Sequence, residues 1–369
     1  MKRTSLKLAI FWIAAVFSLS SAYAGEFRRF GQDYRSLAMG NTGIASANNN
    51  ATLFYNPASM ANIYDWWFDL PIVEITASEY ALAMVQTAQS GGFNLETQQD
   101  QLDFIDEYIG KDVYVKVVAG ANAFANITKK GATVGFNYTY EAVLDVEVRN
   151  PALPTIDTFV RLDHVRQAGL SLPIGLGQWV LGGTYKTVER TEIDFSYGMG
   201  DIIDGNDFPT LASDGVKGLG SGYDLGFLYR TASKYRIVFG GVWRSKIVSG
   251  DATEVPEEIA MGLSMYHTWG IFGLRLAVDA RDLSFVQGAE GDTSYNRRIH
   301  YGAELGMIPL AFTEDRYLLY ARTGYNQGYY TAGAELRFWN TLVLGYTLYT
   351  EERGEYAGQK GSSRTVYYF

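Results

Sequence analysis

The sequence predicts an all-β membrane protein, an antiparallel transmembrane β-barrel of about fourteen strands. Three observations lead to this fold class: an export signal at the N-terminus, a long series of segments in which apolar and polar residues alternate, and an alternation of short and long connections between those segments. Aromatic residues make up 15% of the chain, and glycine occurs 40 times. After the first 24 residues no stretch is long and apolar enough for a spanning helix, which excludes a helical membrane protein.

Residues 1–24 have the three parts of a secretory signal peptide. A basic region with Lys2, Arg3 and Lys7 precedes an apolar stretch at 8–17, and Ala22-Tyr23-Ala24 has the small-x-small pattern that signal peptidase cleaves. The apolar stretch is shorter than the roughly 20 residues of a membrane anchor. Loss of the three basic residues lowers the formal net charge from −9 to −12, which argues against nucleic acid as a partner. The absence of cysteine suits export through an oxidising compartment without disulfides.

The segment 133–149 shows the alternation best. Its even-numbered positions are mostly apolar or aromatic, and its odd-numbered positions are mostly polar or glycine. A membrane strand needs about 9–11 residues in the bilayer and continues beyond it in some barrels. One face of such a strand dissolves in lipid and the other lines a polar lumen.

Fourteen segments of this kind follow one another, an even number that places both termini on one side of the membrane. They lie at about 66–78, 112–126, 132–149, 158–173, 179–195, 221–231, 235–248, 257–267, 271–284, 297–308, 316–326, 329–339, 341–352 and 362–369. Connections after even-numbered segments are mostly short, as in periplasmic turns, and those after odd-numbered segments are mostly long, as in external loops. The connections 309–315 and 326–328 break this rule, so the count could differ by one hairpin.

The C-terminus supports insertion into the outer membrane of a Gram-negative cell. The chain ends in Phe369, with the aromatic Tyr367 two residues before it. This pattern resembles the signal that the barrel assembly machinery recognises, and an ordinary edge strand with a terminal aromatic residue is the alternative. The expected surroundings of the protein are therefore outer-membrane lipid and, during biogenesis, that machinery.

Residues 25–65 precede the first strand and contain two motifs. Residues 38–45 include Met39, Gly40 and Gly43, and residues 54–61 include Asn56, Pro57 and Ala58. Together they resemble the N-terminal signature of the long-chain fatty acid transporter (FadL) superfamily of outer-membrane barrels. That group also includes aromatic-hydrocarbon transporters and PorV-type barrels of a secretion system, and TraF-like conjugation proteins carry a similar signature. Segments 255–259, 302–305 and 322–325 look like strand signatures of the same group.

The resemblance implies that residues 25–65 form a plug, the hatch, inside a fourteen-stranded barrel. The predicted organisation is a signal peptide at 1–24, the hatch at 25–65 and the barrel at 66–369. Gly40 and Gly43 permit tight backbone paths, and Pro57 fixes φ. The arginines of the hatch could pair with inward-facing carboxylates; they are Arg28, Arg29 and Arg35, and the carboxylates are Glu141, Asp145, Asp224, Glu304 and Glu335. The alternative is a disordered periplasmic leader.

Two groups of residues are candidates for ligand binding. In fatty acid transporters helical external loops form a capture groove, so the resemblance assigns this role to apolar residues of the loop 79–111: Leu82, Met84, Leu102 and Ile105. These helices could instead only cap the barrel rim. For a ligand with a carboxylate, the candidate partners are lumen-facing cations. By alternation these are Arg230, Arg244, Arg275, Arg298 and Arg337, with Lys186, Arg236 and Arg281 as further candidates.

The sequence predicts no metal, no cofactor and no enzymatic activity. His164, His267 and His300 fall on different predicted strands without ligand spacing, and neither G-x-S-x-G nor H-E-x-x-H occurs. The acidic loop 196–220 does not match a calcium-binding loop, so a solvated loop is the default and a bound divalent cation the alternative.

The predicted function is passive uptake of a hydrophobic small molecule, either fatty acid-like or an aromatic hydrocarbon. The alternative is a PorV-like or TraF-like barrel that binds or assembles a protein partner in secretion or conjugation and transports nothing. A general porin ranks third because it would not need residues 25–65. The polar inward faces weigh against a fatty acid as the cargo.

Overall fold

The computed structural model describes residues 31–63, 66–89, 107–128, 131–149, 155–198, 200–201, 209–286, 295, 297–310, 316–338, 342–351 and 361–369. The predicted signal peptide lies outside these residues, as do four residues singled out above: Arg28, Arg29, Leu102 and Ile105. The domain boundaries at 24/25 and 65/66 stay predictions. Within the described residues, no helix is long and apolar enough to cross a membrane.

Fourteen antiparallel strands form a closed barrel, in which the first strand pairs with the last. The strands of the chain are β1 Trp67–Ser78, β2 Asp112–Asn126, β3 Thr133–Arg149, β4 Thr155–Ile174, β5 Trp179–Gly198, β6 Val216–Arg230, β7 Val238–Arg244, β8 Ile247–Ser249, β9 Ala252–Val255, β10 Glu258–Trp269, β11 Phe272–Ala280, β12 Ile299–Pro309, β13 Tyr317–Asn326, β14 Tyr329–Phe338, β15 Leu342–Tyr349 and β16 Arg364–Tyr368. Each predicted segment overlaps one wall strand, so the count of fourteen is confirmed, although β4, β5, β6 and β10 extend beyond the predicted bounds.

The strands β8 and β9 are a difference from the prediction. They form a separate two-stranded sheet, and the wall continues directly from β7 to β10, where Arg244 is the partner of Glu258. The predicted strand 235–248 therefore ends in the wall at Arg244. The stretch 249–256 is part of a hairpin rather than a plain external loop. Alternation alone cannot separate a strand in the wall from a strand that pairs elsewhere, because both have a period of two.

The two faces of the wall are those expected of a membrane barrel. On β3, Phe136 is 57% exposed and its neighbour Asn137 is 5% exposed, and the same alternation runs from Thr133 to Asp145. Apolar residues thus face outwards and polar residues face the lumen, the reverse of a soluble β-sandwich. The wall is irregular in β1, where the register with β2 shifts between Asp69 and Ile72 at Leu70-Pro71.

The described part of the hatch, residues 31–63, crosses the lumen. It contains helix α1 (Tyr34–Ala38), helix α2 (Thr52–Tyr55) and a 3-10 helix (Pro57–Asn62). Helix α1 packs against β13 to β16, and the 3-10 helix packs against β3 to β6, on the other side of the closed sheet. The described parts of the long connections include helices α3 (Glu79–Gln89) and α4 (Leu211–Asp214).

Candidate functional site

The hatch touches the wall through glycines on the inner faces of the strands. A Cβ atom on Gly324 would lie 2.1 Å from the Gly40 nitrogen, and one on Gly182 would lie 2.2 Å from the Ala58 nitrogen. Other wall glycines face the hatch in the same way: Gly135, Gly169, Gly226, Gly240, Gly262, Gly302, Gly333 and Gly345. Hatch backbone or hatch side chains therefore pack directly on the wall backbone around the lumen. The alternation pattern predicts a glycine-rich inner face, but it does not show that the hatch packs against it.

The first hatch motif makes a tight turn against β11 to β13. Gly40 has φ +67, and a Cβ there would lie 2.2 Å from the Tyr301 carbonyl oxygen. The backbone N–H groups of Gly43 and Ile44 both donate to Asp279 Oδ2, at 2.7 and 2.9 Å. Met39 is fully buried. The motif thus supplies two hydrogen-bond donors to one wall carboxylate. It also makes a backbone bend that a side chain at position 40 would obstruct.

The second hatch motif is a cap for the 3-10 helix. The Asn56 side chain accepts from the Ala58 N–H at 3.0 Å, and Pro57 occupies the first position of the helix. The Asn56 amide also donates to the Ile44 carbonyl at 2.9 Å and to the carbonyl of the wall residue Phe227 at 3.2 Å. One buried amide therefore joins the two motifs to each other and to β6.

Buried ion pairs fasten helix α1 to the wall. Arg35 binds Glu304 through two hydrogen bonds of 2.8 and 2.9 Å, as predicted for a hatch arginine and a wall carboxylate. Glu304 is also paired with Arg322 at 2.8 Å and Arg275 at 3.3 Å. The neighbouring Glu335 pairs with Arg322 and Arg337 and accepts a 2.8 Å hydrogen bond from the Tyr34 hydroxyl.

The five predicted lumen cations all have partners. Arg275 and Arg337 bind the two glutamates just described. Arg244 pairs with Glu258 and donates to the Tyr55 carbonyl of the hatch. Arg298 pairs with Asp282 at 3.0 Å, and Arg230 donates to Asn62 Oδ1 at 2.8 Å. All five bind residues of the wall or the hatch, and their role in ligand binding stays a prediction.

The two predicted capture residues that the structure describes, Leu82 and Met84, lie on α3, and the histidines lie on separate strands. Leu82 is 38% exposed on α3, and Met84 packs on a small apolar cluster with Tyr108. His300 contacts the Gly40 carbonyl at 3.0 Å, whereas His164 stacks on the outward-facing Tyr140. Among the residues that the structure describes, no three metal-ligand side chains form a group.

The terminal residues close the barrel. Tyr367 and Phe369 both reach the surface, and the Phe369 N–H donates to the Val73 carbonyl at 2.9 Å. Strand β16 pairs with β15 and β1, so the last residues complete the wall. Recognition of these residues by the assembly machinery stays a prediction.

An apolar groove of about 690 Å³ lies on the outer face beside the irregularity of β1. One row of cross-strand partners across it alternates large and small residues: Phe68, Ala123, Phe136, Ala168 and Tyr185. The inward row immediately behind it contains Asn122, Asn137 and Gln167, and both polar atoms of the Gln167 amide lack a partner. The groove cannot be predicted from the sequence alone, because it forms only when five strands are in register.

No protein-family model matches the sequence, and no curated protein is significantly similar to it. Solved structures do resemble the fold. The toluene transporter TbuX of Ralstonia pickettii has a TM-score of 0.55 at 12% identity, over 91% of this chain and 96% of that one. A deltaS2S3 mutant of the monoaromatic hydrocarbon channel TodX has a TM-score of 0.50 at 12% identity, over 94% and 97%. At such identity the likeness shows the fold alone: the chain is a fourteen-stranded antiparallel β-barrel with the fold of these two channels.

Proposed function

We propose that this barrel is a channel for the passive uptake of hydrophobic small molecules across the outer membrane. The hatch carries the proposal, because it spans the lumen from one wall to the other and is joined to the wall by buried ion pairs. A general porin needs a water-filled lumen. A hydrophobic molecule needs only a transient path between side chains. The fold shared with a toluene transporter supports the same function.

An uncharged hydrocarbon suits this lumen better than a fatty acid. A carboxylate needs a cation as partner, and the five candidate arginines are already engaged. Taking the partner from a buried charge costs about 3–5 kcal/mol. We therefore favour an apolar cargo without a charged head group, such as an aromatic hydrocarbon.

The outer groove is the proposed place of release. Pro71 has no N–H to donate, and Leu70 and Pro71 have no partner in the register between β1 and β2. The apolar groove lies at this point on the lipid side, with a row of buried amides on the lumen side. A hydrophobic molecule that passes here enters the bilayer without crossing water.

Whole cells test the proposal. The full chain is expressed in the outer membrane of a Gram-negative host, and uptake of the uncharged fluorescent probe N-phenyl-naphthylamine is compared with that of cells without the protein. We expect faster probe uptake and unchanged entry of the polar β-lactam nitrocefin. Equal probe uptake refutes the channel, and faster nitrocefin entry identifies a general porin.

A barrel that holds a protein partner is the second candidate, and the polar ion-paired lumen favours it. Native mass spectrometry of the protein, purified from its own cells in mild detergent, separates the two. A retained small hydrophobic molecule supports the channel. A stoichiometric protein partner without such a molecule supports the binding protein.

A further inference from the structure

The hairpin β8–β9 lies inside the barrel, on the inner face of β6. That face has glycine at three alternate positions, Gly218, Gly220 and Gly222, before Asp224. A Cβ on Gly218 would lie 1.5 Å from the Ser249 carbonyl oxygen, and one on Gly220 would lie 2.5 Å from Ile247 Cγ2. The alternating residues Leu219, Tyr223 and Leu225 are exposed on the lipid side. The three glycines therefore form a slot for a connection that folds back into the lumen from the end of the long loops.

The hairpin meets the hatch through apolar side chains. Val165 and Val188 are cross-strand partners on the inner face of β4 and β5, and Ile247 of the hairpin packs on both. Phe54 of the hatch and Val255 of the hairpin pack against the same cluster. Wall, hatch and hairpin thus share one small apolar contact, called the seam here, formed by Phe54, Val165, Val188, Ile247 and Val255.

The seam lies between two layers of buried ion pairs. On one side of the seam, Arg190 of β5 binds Asp163 of β4 at 2.7 Å. On the other side, Lys186 of β5 binds Asp224 of β6 at 2.5 Å. Separating such pairs leaves uncompensated buried charge. Separating apolar surfaces leaves no buried charge without a partner, and an apolar ligand that enters between them restores the lost apolar contacts. The seam is therefore a place where the packed lumen opens to a hydrophobic molecule at low cost.

Among the described residues, polar contacts join the hairpin to the wall at its base, where Ser245 and Tyr223 exchange two hydrogen bonds, and at Thr253. The Arg190 guanidinium donates to the Thr253 carbonyl at 2.8 Å, and the Thr253 N–H donates to Glu192. The ion pair of Lys246 with Glu254 is half-exposed and lies within the hairpin itself, so it moves with it. Thr253 is thus the residue through which the hairpin reaches charged side chains of the wall.

We propose that the seam is the binding site through which an uncharged hydrophobic molecule enters the lumen, and that the hairpin is the gate that uncovers it. The inference rests on the proposed function and adds a site and a moving element to it. The ligand is apolar and lacks a charged group, because none of the five side chains of the seam is polar.

Cysteine cross-linking tests the gate, since the chain has no cysteine of its own. Val188→Cys and Ile247→Cys are combined in the full chain to tie the hairpin to the wall. A control pair, Leu181→Cys with Phe227→Cys, joins two outward-facing wall partners. We expect oxidation of the first pair to reduce N-phenyl-naphthylamine uptake to the rate of cells without the protein, with recovery on reduction and no effect in the control.

The outcomes separate this inference from the proposed function. Normal uptake through the oxidised 188–247 pair overturns the gate and leaves the channel intact. Unmodified protein that takes up no more probe than empty cells overturns both.

A second measurement does not depend on transport. Ile247 is fully buried, whereas its neighbour Val248 is 57% exposed. In single variants, external maleimide should label Val248→Cys at once and Ile247→Cys slowly, while the barrel stays folded. Labelling of Ile247→Cys only after the barrel unfolds overturns the gate.

Discussion

At the residue scale, the contact between hatch and wall depends on glycines, because a side chain at these positions would overlap the facing segment. The motif glycines Gly40 and Gly43 could be recognised in the sequence, because their pattern resembles a known signature. The wall glycines opposite them could not be matched to the hatch, because Gly324 is 284 positions away from Gly40 in the printed sequence and only register in the closed sheet brings them together.

Two adjacent glycines of β5 allow a controlled test, because only one of them faces the hatch. A substitution at each shows whether the effect comes from lost contact with the hatch or from loss of a glycine in the strand. A Cβ on the inward-facing Gly182 would lie 2.2 Å from the hatch backbone, whereas one on Gly183 would meet Leu225 Cδ2 at an ordinary 3.6 Å. We expect Gly182→Ala to destabilise docking of the 3-10 helix by about 1–3 kcal/mol, as overpacking does. Hydrogen exchange of the peptide 57–62, followed by mass spectrometry, measures this as faster exchange.

Gly183→Ala is the matched control. It adds the same methyl group to the same strand and should leave exchange of the peptide 57–62 unchanged. Equal exchange in the two variants would show that the hatch does not depend on backbone contact with the wall.

At the scale of elements, the wall was predictable and the hairpin was not. Each wall strand has its own alternation of lipid-facing and lumen-facing residues, as in β3, and this pattern is local. The residues of β8 and β9 alternate as well, but their partners and the slot on β6 are set by the tertiary fold. The hatch helices are four to six residues long, too short for a periodic signal.

Helix α1 depends on a buried cap. Asp33 accepts from the Ser36 N–H at 3.2 Å and from the Asn49 amide, and burial raises the pKa of its carboxyl group above the usual value. A carboxyl with a raised pKa in the folded state favours folding when protonated, so its contribution falls as the pH rises through that pKa. The hatch should therefore be held more firmly at mildly acidic pH than at neutral pH.

Two substitutions of Asp33 distinguish the effect of its capping hydrogen bond from the effect of its titrating carboxyl group. Asp33→Asn keeps an acceptor for Ser36 and removes the titrating group, so it should preserve α1 and abolish this part of the pH dependence. Asp33→Ala removes the cap and should cost about 1 kcal/mol. Hydrogen exchange of the peptide 34–39 at two pH values measures both, and equal protection in the two variants would contradict the cap.

At the scale of the whole molecule, a closed ladder of strands holds the wall together, whereas buried ion pairs, hydrogen bonds and small apolar clusters hold the hatch to the wall. Sequence alternation predicted that the lumen is polar, but not which charges pair, because Arg35 and Glu304 are 269 positions apart. Urea solvates polar groups in a lumen more readily than strands within a bilayer. The hatch should therefore release before the wall unfolds.

Glu304→Gln tests this order of events in planar bilayers. The substitution removes the carboxylate shared by Arg35, Arg275 and Arg322, and loss of one partner of a buried ion pair costs about 3–5 kcal/mol. Ion conductance should rise at a lower urea concentration than in the unmodified protein. The heat-modifiable band shift that reports the intact barrel should not move, because the wall ladder is unchanged. Leu181→Ala, on the lipid side of β5, should leave the onset of conductance where it was. Conductance that rises only together with loss of the folded band would contradict this order, because hatch and wall would then unfold as one unit.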